Sequence, residues 1–123
     1  MKNKITTDKA PVPAGPYSQA IVSGNRVYVS GQGPLDPATG KIAGTTTAEH
    51  TRQVLTNIKY ILEAAGSSMG DVVKVSAFLT DMKNFSEFNE VYKEFFTEPT
   101  PVRTTVGVQM VDILVEIDVI AEK

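Results

Sequence analysis

Arginine is a permanently charged fork of hydrogen-bond donors and glutamate a titratable proton acceptor, so one of each in apolar surroundings is where chemistry could lie. This chain carries one of each near its end, in mainly apolar, threonine and glycine surroundings. Arg103 lies in Val102-Arg103-Thr104-Thr105-Val106-Gly107-Val108 and Glu116 in Leu114-Val115-Glu116-Ile117-Asp118-Val119-Ile120. β-Branched residues at period two predict a strand in each segment. Joined by a two-residue loop at Val111-Asp112, the strands would form a hairpin. Val102, Thr104, Val106 and Val108 would then share a core face with Val115, Ile117, Val119 and Ala121. Arg103, Thr105 and Gly107 would share the other face with Glu116, Asp118 and Ile120. The two charges would still be four positions out of step, about 13 Å along a strand rising 3.3 Å per residue. Two readings stay open: a solvated face kept soluble by its charges, or a site completed by a ligand or a neighbouring subunit.

Other polar side chains compete for a role. Tyr17 follows Gly15-Pro16 on a proline-stiffened loop, which could hold its hydroxyl rigidly at a site or simply plug the edge of the core. Asn89 falls beside the apolar stripe of a helix and needs a hydrogen-bond partner, in a site or as a tether. Ser30-Gly31-Gln32-Gly33 has the look of a phosphate loop without its lysine or spacing, and reads as a strand end with special backbone geometry. His50, beside Glu49 and Arg52, reads as a solvated surface residue without a role. No P-loop, dinucleotide fingerprint, HExxH helix or serine triad is present.

The elements that must position these residues follow from periodicity and punctuation. A short strand is expected near Ile5, then an ordered proline-rich loop from Ala10 to Tyr17, then a hairpin of Ala20-Ile21-Val22 and Arg26 to Ser30 about Ser23-Gly24-Asn25. Thr46 and Glu49 have capping-box spacing and start a helix that ends at Gly66, with Val54, Leu55, Ile58, Ile61, Leu62 and Ala65 as its apolar stripe. Val72 to Leu79 is a central strand with Val73, Val75, Ala77 and Leu79 facing inward. A second helix starts at Asn84 and runs through Phe85, Phe88, Val91, Tyr92, Phe95 and Phe96 until Pro99 and Pro101 end it; its aromatic stripe reads as core. The order predicts one α+β domain over residues 1–123, with two helices on one face of a single sheet and an uncovered face that oligomerisation would bury.

Composition bounds the function. At 123 residues the chain has room for one core. A net charge of −2 argues against a broad footprint for nucleic acid or anionic membrane. With no cysteine and one histidine there is no disulfide, thiol nucleophile, thiolate metal site or histidine-rich metal centre. The first residues lack a signal-like apolar region and no run reaches the roughly 18 apolar residues of a membrane span, so the expected location is cytoplasmic.

Gly15-Pro16-Tyr17-Ser18-Gln19-Ala20, Val29-Ser30-Gly31-Gln32, Gln53 to Gly66, Asp71 to Val75, Phe88-Asn89-Glu90-Val91-Tyr92, Pro101-Val102-Arg103 and Val115 to Ala121 together resemble the RidA/YjgF family of imine deaminases. Some of its members are catalogued as endoribonuclease L-PSP. The resemblance spans essentially the whole chain. It implies a chorismate-mutase-like α+β fold with a mixed sheet, a homotrimer with clefts between subunits, and hydrolysis of 2-iminobutanoate or 2-iminopropanoate to 2-oxo acid and ammonia. No metal or organic cofactor is implied. Carried over, Arg103 would hold the substrate carboxylate and Glu116 would activate the water, while Tyr17, Ser30, Gly31, Asn89 and Thr105 would bind substrate. Thr105 stands where the family commonly has cysteine, Gly33 replaces a larger apolar residue, and Val108 to Leu114 lacks the usual Leu-Pro turn. A carboxylate-binding or chaperone-like trimer without turnover, or an endoribonuclease, are the alternatives.

Overall fold

The computed structural model describes residues 1–123. The strands are β1 (Lys2–Ile5), β2 (Ala20–Ser23), β3 (Arg26–Gln32), β4 (Val72–Leu79), β5 (Val102–Gly107) and β6 (Val115–Glu122); the helices are α1 (Thr47–Ala64) and α2 (Phe85–Tyr92). All six strands form one sheet in the order β1-β2-β3-β6-β4-β5. Only β4 and β5 run parallel. A parallel pair needs a crossover, and α2 supplies it.

Local chemistry sets the helix boundaries. Thr46 caps α1 by accepting from the Glu49 N–H at 3.1 Å, and Glu49 returns the bond to the Thr46 N–H at 3.1 Å, which is the expected capping box. Helix α2 is shorter than its sequence suggests. Glu87 accepts from Ala48 N at 2.7 Å, so it satisfies the first turn of α1 rather than the start of its own helix. The chain beyond Tyr92 unwinds into turns before Pro99.

Val27, Val29, Val75, Ala77, Leu79, Val115, Ile117, Val119 and Ala121 face Val54, Leu55, Ile58, Ile61 and Leu62 of α1 in one core cluster. Full burial of each Val, Leu or Ile contributes roughly 1.5–3 kcal/mol. A bulge in β4 between Val72 and Lys74 corrects one expectation. Val73 is the extra residue and is 42% exposed, so Val72 takes the buried position.

The expected hairpin of the last two strands does not form. Strand β4 lies between them, and residues 108–114 arch over its end, with Val108 N donating to Leu79 O at 2.9 Å and Thr80 N to Leu114 O at 3.2 Å. The Val111-Asp112 pair is poor chemistry for a tight primed turn. Pairing Arg103 with Val75 and Thr105 with Ala77 puts those two on the helix-covered face. Val102 and Val106, expected in the core, are 67% and 40% exposed on the open face.

Candidate functional site

On the helix side, Arg103 projects from edge strand β5 toward α2. Its Nη1 donates to Asn89 Oδ1 at 2.8 Å. The guanidinium carbon lies 4.6 Å from the Tyr92 ring centroid, 5.4 Å from that of Phe88 and 5.5 Å from that of Phe85. Aromatic faces stabilise a cation through the ring quadrupole and fix the plane of the guanidinium. The chain's ion pairs are Arg26 with Glu122, Arg52 with Glu94 and Lys93 with Glu90. Arg103 is therefore half-buried with no anion opposite it. Most of its five donors are free for a forked contact.

Two buried hydroxyls beside it, those of Tyr92 and Thr105, have no hydrogen-bond partner. Burial pushes the Tyr92 hydroxyl above the ordinary tyrosine value, and the neighbouring Arg103 charge opposes that rise. The guanidinium stacks over the Tyr92 ring rather than pairing with its oxygen. Sequence reasoning assigned Phe88 and Tyr92 to the core alone. They are both core and cage, and the available signal was their placement one residue before and three after Asn89.

On the open face, a depression is lined by Tyr17, Ser30, Gly31 and Glu116. A bulge builds it: Val29 pairs with Val119 and Gln32 with Ile117, so Ser30 and Gly31 together oppose Asp118. Bulges re-aim side chains and are frequent beside functional sites. Gly31 is required by close approach, because a Cβ there would lie 2.6 Å from Glu116 Oε2. The Ser30 hydroxyl donates to Ser18 O, and the Tyr17 hydroxyl accepts from Ala14 N at 3.2 Å. Gln19, missed in the sequence, is buried and donates from Nε2 to Thr7 O, Ala10 O and Pro11 O at 3.0, 3.3 and 2.9 Å. It fixes the proline-rich loop that carries Tyr17. The space beside Gly33 is taken by Ile113, whose Cδ1 would stand 3.5 Å from a Cβ there.

The seven expected site residues thus fall into two groups. Arg103, Asn89 and Thr105 form one, and Tyr17, Ser30, Gly31 and Glu116 the other. Arg103 is level with Val75 and Glu116 with Phe78 on β4. Two strand spacings of about 4.8 Å and three residues of 3.3 Å put their backbones about 14 Å apart, and their side chains leave opposite faces of the sheet. The shared face expected from the hairpin is therefore overturned. His50 also departs from expectation: it is 2% exposed, with Nε2 3.0 Å from Gly44 O and Nδ1 accepting from Leu114 N at 3.1 Å. No three His, Cys, Asp or Glu side chains cluster as a metal site, and no helix is long and apolar enough to cross a membrane.

Residues 7–123 match the family described as endoribonuclease L-PSP. A RutC family protein of Pyrococcus horikoshii is 52% identical, covering 100% of this chain and 99% of its own. A 2-iminobutanoate/2-iminopropanoate deaminase of Salmonella typhimurium is 42% identical over 98% of both chains. Among solved structures, RidA from an Antarctic Psychrobacter superposes with a TM-score of 0.94 at 43% identity, covering 98% of this chain and 99% of that one.

Proposed function

The chain belongs to the endoribonuclease L-PSP family, the RidA/YjgF family of the sequence resemblance, and from that premise we propose that it hydrolyses 2-iminobutanoate and 2-iminopropanoate in the cytoplasm, at sites built between copies of itself in a homotrimer. One observation carries this reading: Arg103 is a half-buried, aromatic-stacked cation with no anion in its own chain. Such a group is a carboxylate receptor. The reacting carbon of a 2-imino acid is bonded to its carboxylate carbon, so the water-activating group must stand within a few ångströms of Arg103. Glu116 of the same chain cannot, because it lies on the other face. A second copy whose open face, with its exposed Tyr28, packs against the β5 edge of this chain would bring its own Glu116 to the gap.

In the proposed reaction, Arg103 holds the carboxylate and Asn89 fixes the fork. Glu116 takes a proton from water as its oxygen bonds to the imine carbon, and the C=N π pair moves to nitrogen. Glu116 passes that proton to the nitrogen, then takes the hydroxyl proton and delivers it to the same nitrogen as the C–N bond breaks and the C=O bond forms, releasing the 2-oxo acid and ammonia. The test is decay of imine generated from threonine by a dehydratase. Wild-type protein should accelerate it, whereas Arg103→Ala and Glu116→Gln should not. Unchanged decay with wild-type protein sinks the hydrolase reading; if 2-oxobutanoate still binds in an Arg103-dependent way, a receptor without turnover takes its place.

A further inference from the structure

We infer that His50 is a positioning residue for Glu116, an inference that rests on the deaminase reading above. His50 is buried in the first turn of α1 and bonded at both ring nitrogens. A backbone amide can only donate and a carbonyl can only accept. The Leu114 N–H therefore requires a bare Nδ1, and Gly44 O requires a proton on Nε2, so the ring is neutral and in a single tautomer. The side chain joins the loop before α1 to the end of the arch that feeds β6.

The position of that junction matters because β6 is unevenly held where Glu116 sits. On its β4 side the ladder runs through Glu116 paired with Phe78 and Val115 paired with Leu79. On its β3 side pairing stops at Ile117, opposite Gln32. Before Ile117 that register would run on to Gly33 and Pro34, which lie beyond the end of β3, and a proline has no N–H to give the ladder. The arch itself is exposed at Val111 and Asp112. Leu114, two residues before Glu116, is fixed by Thr80 N donating to its carbonyl at 3.2 Å and by His50 accepting from its amide at 3.1 Å. The histidine thus supplies the restraint that the missing β3 ladder does not, and it sets how closely Glu116 packs on Gly31. Misplacement by about 1 Å at a reacting group can cost on the order of a hundredfold in rate.

Two substitutions separate this role from plain stability. His50→Asn puts an amide oxygen near the place of Nδ1, which keeps the bond from Leu114 N and loses the one to Gly44 O. His50→Gln carries its amide out to the place of Nε2, which keeps the bond to Gly44 O and loses the one from Leu114 N. His50→Gln should lower kcat about tenfold or more with KM nearly unchanged, since the carboxylate is held elsewhere, and His50→Asn should keep kcat near wild type. Equal kcat in both, with melting temperature lowered in both, overturns the positioning role. If neither variant folds, hydrogen exchange on wild-type protein decides: Leu114 must be protected while Val111 and Asp112 exchange freely, and equal exchange at all three overturns the inference. Wild-type protein without imine turnover sinks the deaminase reading instead.

Discussion

Mixing two inactive variants should restore activity. If each site takes Arg103 from one copy and Glu116 from its neighbour, Arg103→Ala and Glu116→Gln damage different halves. The first loses two charge-assisted hydrogen bonds worth about 1.5 kcal/mol or more each, so kcat/KM should fall on the order of a hundredfold or more. The second loses the base, also about a hundredfold or more. In oligomers assembled at random from equal amounts, a site is intact when a Glu116→Gln chain supplies the arginine and an Arg103→Ala chain supplies the glutamate. Each condition holds half the time, so about one quarter of the sites should work in any cyclic assembly of identical interfaces. A site contained within one chain would leave the mixture at the mean of the two residual rates, about 1% of wild type. Isolation through two tags removes the unmixed trimers and leaves about one working site in three, so the predicted gap is on the order of 30-fold. The two variants are co-expressed with different tags, mixed oligomers are isolated through both tags, and imine decay is followed. Mixed oligomers no faster than the parents refute the two-copy site.

Three further outcomes follow from particular contacts. Gly31→Ala should fold normally, because its Cβ would meet the movable end of Glu116 at 2.6 Å, yet displacing that carboxylate should cut kcat about tenfold or more; an unchanged kcat refutes the placement. Tyr92→Phe removes a buried hydroxyl without a partner and should leave stability at pH 7 unchanged or raised by up to about 1 kcal/mol, whereas a clear loss on thermal melting counts against it. Because burial raises the Tyr92 pKa in the folded state, the wild type should lose stability as pH rises above about 10 and through the folded value, and the variant should lose less. Glu49 shows the opposite sign: bonds from Thr45 N, Thr46 N and the Thr46 hydroxyl lower its pKa, so that stabilisation is lost as pH falls through the folded value, below the ordinary carboxylate range. Glu49→Gln should flatten this acid limb in pH-dependent melts, and an identical limb in both proteins refutes the assignment.

The elements whose cues are local were legible in the sequence. Thr46 and Glu49 marked the start of α1, Ser23-Gly24-Asn25 marked the β2–β3 hairpin, and alternation located the three strands after α1. What failed was pairing, which is not local. Periodicity in Val102 to Gly107 and in Val115 to Ala121 shows that each has two faces, but not which neighbour lies alongside. Once β4 intervenes and β5 runs parallel to it, Arg103 moves to the helix-covered face and Glu116 to the open one. The same holds for Val73, since a bulge inserts one residue without disturbing the apolar pattern. His50 looked solvated because its sequence neighbours are charged, while its partners, Gly44 O and Leu114 N, are backbone atoms that no side-chain pattern reports. The aromatic cage was hidden for a related reason: Phe88 and Tyr92 satisfy core spacing fully, so nothing in the stripe marks the cation resting on it.

Dividing the proposed site between two faces also explains how one chain can carry both charges without their neutralising each other. Placed within one fold at contact distance, Arg103 and Glu116 would form an ion pair, and a substrate carboxylate would have to displace it. Held about 14 Å apart on opposite faces, the two never meet: Arg103 rests on Asn89 and three aromatic rings, and Glu116 occupies the room left by the absent side chain of Gly31. In the proposed assembly the docking of one copy's open face against the β5 edge of the next sets their separation, and a substrate-sized gap between them is kept by rigid strands rather than by flexible side chains. Bulk that pushes two copies apart without touching either charge should therefore lower activity as surely as deleting one. Val102, 67% exposed on the open face beside the residue that carries the receptor, is the position at which to introduce it. Val102→Arg should leave the monomer folded, shift the protein to smaller species in sedimentation, and abolish imine turnover in the same step. Turnover persisting in a monomeric Val102→Arg variant would contradict the shared site.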